Sequence, residues 1–143
     1  MISKKRLRDA AASGLLALGV LGLALTTAGA RDDETPTIKK IMQVLNKGGK
    51  AQSAKLKKEL GNASPDWTAI QASAKEFATF GPELVKNEPP KGDAESWKKL
   101  AGAYGVESKA LDTAAEKKDL TAVKAAFDKL SMACMTCHKA HKP

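Results

Sequence analysis

The sequence reads as an all-α protein, an antiparallel up-down-up-down four-helix bundle, on three observations. Apolar residues recur at spacings of three and four through four long segments. Strand-forming runs of Val, Ile, Tyr and Thr are nearly absent. Gly61-Asn62 ends one segment and Asn87 to Gly92 is the one clear loop, consistent with the short connections of a bundle. With 143 residues there is room for one domain, and 43% hydrophobic residues are enough for a core, which argues against disorder. Two cysteines are too few for a disulfide-stapled miniprotein.

The first thirty residues are set aside as an export signal. Lys4, Lys5, Arg6 and Arg8 form a basic start, Gly14 to Leu25 an apolar run, and Ala28-Gly29-Ala30 a small-x-small cleavage pattern. The run is too short and glycine-rich to span a membrane, which takes about 20 apolar residues. No cysteine lies near the cleavage point for a lipid anchor, and Leu7 separates the two arginines, so a twin-arginine signal is unsupported. The expected mature domain is therefore residues 31–143, periplasmic and without a transmembrane segment. It carries 20 basic and 15 acidic residues, a net charge of +5. That charge suits acidic protein surfaces or membranes. Nucleic acid is a poor fit, because the lysines are dispersed and aromatic interleaving is missing.

The first helical segment runs from Pro36 to Leu60, with Ile38, Ile41, Met42, Leu45, Leu56 and Leu60 on its apolar stripe. Thr35 or Thr37 can cap it. Gly48-Gly49 either breaks it or makes room for something bulky, at about 1 kcal/mol per glycine relative to alanine. Ser64-Pro65-Asp66 opens the second segment, with Ser64 as the cap, and Trp67, Ile70, Ala74, Phe77, Ala78 and Leu84 on its apolar face. Gly81-Pro82 kinks or ends it. After the loop Asn87 to Gly92, Asp93 caps a third helix bearing Trp97, Leu100, Ala101, Tyr104, Leu111 and Ala114. Asp119 opens the fourth, whose seam is Leu120, Val123, Phe127, Leu130, Cys134, Cys137 and His141. The aromatic residues read as packing groups at this spacing.

The chemistry lies at the end of that seam. Cys134-Met135-Thr136-Cys137-His138 is C-x-x-C-H, the attachment signature of a c-type haem. Two thiols three residues apart share one side of a helix and can add across two vinyl groups of one porphyrin. His138, four residues after Cys134, can turn under the ring and bind the iron. A thioredoxin-like dithiol follows a strand, and none is predicted here. Zinc on Cys134, Cys137, His138 and His141 would crowd four ligands into eight residues of one helix. A C-x-x-C disulfide would be strained and would leave His138 unexplained. A zinc or dithiol structural module stays as a third alternative.

Four helices with C-x-x-C-H near the C-terminus resemble the class II cytochromes c, the cytochrome c′ group and its low-spin relatives, over the whole mature chain. The resemblance implies that the first helix crosses the open haem face, and that one of its residues decides the coordination. Methionine there implies six-coordinate low-spin iron; leucine or phenylalanine implies five-coordinate iron. Ile38 to Gly49 is similar to that helix, with Met42 at the deciding position. The aromatic-basic pair common after the haem histidine is replaced by Lys139-Ala140-His141-Lys142, which keeps the base and not the aromatic. A homodimer through the first two helices is left open.

Elimination reaches the same methionine. Met132, Met135 and His141 share the helix of His138 and cannot cross the ring, and Met1 leaves with the signal. Met42 remains as the distal ligand, against the plain alternative of a core-filling methionine. His141 is expected to be a solvated terminal residue or a neighbour of a haem propionate. Lys124, Lys129, Lys139 and Lys142 form either a docking patch for an acidic redox partner or a solvated face. No nucleophile–base pair, paired carboxylates or phosphate loop is present, so the expected activity is non-enzymatic. The expected function is single-electron transfer by one covalent haem c, with a five-coordinate binder of NO or CO as the alternative.

Overall fold

The protein, described by a computed structural model over residues 34–143, contains five α-helices and one 3-10 helix among those residues, and no strand. The expected signal segment, residues 1–30, lies outside the described residues. Among the described residues no helix is long and apolar enough to cross a membrane.

The single long segment expected from Pro36 to Leu60 is two helices, α1 (Ile38–Leu45) and α2 (Gln52–Leu60). Thr37 caps α1, its hydroxyl accepting the Lys40 N–H at 3.3 Å. The break falls where Gly48 adopts φ +86°, a conformation that side chains disfavour. The positive φ of Gly48 accounts for the break, and a Cβ on either glycine would meet no protein atom within 4 Å. Ile41 and Leu45 of α1 and Leu56 of α2 are fully buried.

Helix α3 (Trp67–Phe80) is capped by Asp66, not by Ser64. Asp66 sits immediately before Trp67 in extended backbone, and its Oδ1 accepts the N–H groups of Thr68 at 2.8 Å and Ala69 at 3.4 Å. A carboxylate at the positive end of the helix dipole supplies charge as well as an acceptor. At Gly81-Pro82 the α-helix ends and the 3-10 helix Gly81–Lys86 begins, since proline removes a donor and fixes φ.

Helix α4 (Ala94–Glu116) lies against α3, the 3-10 helix and α5 (Leu120–His141). Two glycines allow that approach. A Cβ on Gly81 would run into the Ser108 side chain, and one on Gly105 would lie 3.0 Å from Pro82 Cα. Phe77 of α3 meets Phe127 of α5 edge-on, with ring centroids 6.5 Å apart. The α4–α5 turn is closed by Lys118 N–H on the Ala115 carbonyl and Asp119 N–H on the Ala114 carbonyl, both at 3.0 Å. This is a Schellman arrangement with Lys118, at φ 55°, where glycine is usual. Asp93 and Asp119 cap α4 and α5 as expected.

Candidate functional site

A cavity of about 830 Å³ opens between α1, α4 and the C-terminal half of α5. Its size falls in the range of small-molecule and cofactor sites. The C-x-x-C-H residues Cys134, Cys137 and His138 line it, and so does Met42, more than ninety positions earlier in the chain. The four sequence-predicted site residues therefore share one cavity. Helix periodicity alone turns Cys134 and Cys137 inward with Leu130, whereas Met132 and Met135 point outward, 62% and 75% exposed. His138, next to Cys137, is exposed at the rim.

Both thiols are free. Cys134 Sγ donates to the Leu130 carbonyl at 3.2 Å. Burial raises the pKa of Cys134, and burial followed by the neighbouring Cys134 raises that of Cys137. Reactive dithiols need the opposite shift, because the thiolate is the nucleophile. Among the described residues, no three His, Cys, Asp or Glu side chains come together as a metal-holding group. Burial thus disfavours both thiolates, and Cys134, Cys137, His138 and His141 do not gather as one metal-holding group among the described residues.

The wall opposite in sequence, from α4, is apolar and aromatic: Trp97, Leu100, Ala101 and Tyr104. Trp97 is oriented by its indole N–H, which donates to the Asn87 carbonyl at 2.7 Å. Tyr104 is 5% exposed, and its hydroxyl accepts from Asn46 Nδ2 at 3.3 Å. Burial pushes the Tyr104 pKa strongly up, the Asn46 hydrogen bond opposes this, and the two cysteines add to it. Three lysines, Lys39, Lys47 and Lys142, also lie on the lining.

His141 is not a solvated terminal residue. It is 2% exposed, and its imidazole Nδ1–H donates to the Lys91 carbonyl at 2.8 Å while Nε2 meets Ser96 Oγ at 3.3 Å. The carbonyl can only accept, which assigns the proton to Nδ1. Gly92, at φ +83°, makes this docking feasible: a Cβ there would lie 2.8 Å from the Ala140 carbonyl. Of the four lysines read as a patch, Lys142 lines the cavity and Lys129 pairs with Glu107 at 3.2 Å, while Lys124 and Lys139 are exposed.

Sequence reasoning passed over Asn46, which closes α1 and touches both Met42 and Tyr104. Its only signal was its position one turn after Met42 on the same stripe. Comparison of the chain with models of known protein families, with characterised protein sequences and with solved structures returns no match. The class of the protein therefore rests on its helices and its cavity.

Proposed function

We propose that the protein is a c-type cytochrome of class II type. In this reading residues 31–143 form an antiparallel up-down-up-down bundle in the periplasm. It carries one covalent haem c and passes single electrons between partners with acidic docking surfaces. The observation that carries the reading is that Met42, Cys134, Cys137 and His138 line one cavity of about 830 Å³.

The residues fit the group on three counts. The thiols are unpaired, the walls are apolar and aromatic, and the lining includes Lys39, Lys47 and Lys142, suited to two propionates. Haem, when bound, would supply a one-electron iron couple whose potential methionine ligation raises. Cys134 and Cys137 hold the macrocycle through thioethers. His138 and Met42 are the iron ligands. Trp97, Leu100 and Tyr104, as apolar and aromatic lining, would limit the access of water to the group.

Mass and optical spectra of the matured protein test this. The expected mass exceeds the processed polypeptide by one haem, and the colour survives acid-acetone extraction. The expected spectrum is low-spin, and Met42→Ala converts it to high-spin. An unmodified mass overturns the reading. Attached haem with a high-spin native spectrum overturns Met42 ligation and selects the five-coordinate gas-binding alternative.

A further inference from the structure

Among the residues lining the cavity is a polar side-chain bridge that neither the thioethers nor the iron ligands account for. Asn46 Nδ2 lies 3.5 Å from Met42 Sδ and 3.3 Å from the Tyr104 hydroxyl oxygen. A carboxamide nitrogen carries two hydrogens, so both contacts can be made at once. The backbone repeats the link: Asn46 N–H donates to the Met42 carbonyl at 2.9 Å, closing α1. Asn46 is thus held at its own backbone and at Tyr104, and its remaining N–H points at the methionine sulfur.

From this geometry we infer that Asn46 is a positioning residue for Met42, fixing the thioether and withdrawing electron density from it through an N–H···S hydrogen bond. The inference rests on the haem reading above. Methionine has three rotatable side-chain bonds and adapts to whatever surrounds it. A thioether sulfur has two lone pairs, so one can accept the Asn46 N–H while the other remains free for a metal. The donor removes density from the sulfur, which weakens its donation to ferric iron more than to ferrous. Tyr104, 58 positions away in sequence on α4, supplies a second anchor for the amide.

The test is a set of matured holoproteins: native, Asn46→Leu, Asn46→Gln, Tyr104→Phe and Met42→Ala. Each is checked first for the haem mass increment. Asn46→Leu, close in volume and without a donor, is expected to shift the oxidised-to-reduced ratio at fixed potential about three- to tenfold toward oxidised, tenfold being about 59 mV for one electron. Its sulfur-to-iron absorption band is expected to shift or weaken. Asn46→Gln keeps a donor and is expected to recover part of both signals, and Tyr104→Phe to give a smaller change of the same sign. If Met42→Ala abolishes the band while Asn46→Leu leaves band and potential native, or lowers only the melting temperature, the Asn46 inference is overturned and the haem reading stands. A native protein without the mass increment overturns both.

Discussion

The imidazole of His141 stands edge-on to the indole of Trp97, with ring centroids 5.4 Å apart and planes at 84°. Trp97 lies in the first turn of α4 and His141 is the last residue of α5. The contact, with the bonds from His141 to Lys91 and Ser96, ties the end of the helix bearing Cys134, Cys137 and His138 to the start of its neighbour. Replacing His141 by alanine removes an aromatic pair and leaves the Lys91 carbonyl without its donor. The expected cost is about 2–4 kcal/mol, read as a lower midpoint in urea unfolding. An unchanged midpoint would show that the tie contributes nothing.

Gly81 sits where any side chain would meet Ser108, whose hydroxyl donates to the Tyr104 carbonyl at 2.8 Å. Gly81→Ala is therefore expected to destabilise by about 1–3 kcal/mol, through overpacking between the 3-10 helix and α4. In a Ser108→Gly background the clash is absent, so the same substitution should cost much less. A double-mutant cycle of denaturation midpoints measures the difference. Additive costs would contradict the contact.

Lys118 occupies the left-handed position of the α4–α5 turn at φ 55°. An L side chain there costs about 1–2 kcal/mol, part of which glycine returns as extra freedom in the unfolded chain. Lys118→Gly is accordingly expected to stabilise by about 0.5–1 kcal/mol. Thermal melts of the two proteins check it, and a lower melting temperature for the variant would refute it.

Burial raises the pKa of Tyr104 in the folded protein above its unfolded value near 10. The sign follows directly. Above pH 10 the unfolded phenol loses its proton while the folded one keeps it, so unfolding is favoured and stability falls as pH rises. Cys134 and Cys137, also raised, act in the same direction from about pH 8.5 in any molecules whose thiols are unmodified. Tyr104→Phe should remove the part of the decline above pH 10 and leave the lower part. Urea midpoints from pH 8 to 11 report both, and parallel curves for native and variant would count against a desolvated phenol.

Much of the local structure was legible along the chain. Asp93 and Asp119 announce α4 and α5, and the three-four spacing from Val123 through Leu130 to Cys134 and Cys137 predicts the face that turns inward. The break at Gly48 was legible as a position but not as an outcome, because glycine serves both a left-handed backbone and a close approach. Ser64 and Asp66 are both good caps two residues apart, and only the path of the chain into Trp67 selects Asp66.

Spacing along one helix determined which residues could carry chemistry, since C-x-x-C-H is a local pattern whose geometry follows from 3.6 residues per turn. What tertiary packing alone decided is which distant groups join it. Met42, Asn46 and Tyr104 reach the cavity because α1 ends at Asn46 and its side chain meets α4, a contact between residues 58 positions apart. His141 is buried for the same reason: Lys139 and Lys142 near it in sequence are charged and exposed, but Gly92 and Trp97 arrive from elsewhere in the chain to enclose it. Burial and long-range partners are properties of how helices pack, and no periodicity within a single helix encodes them.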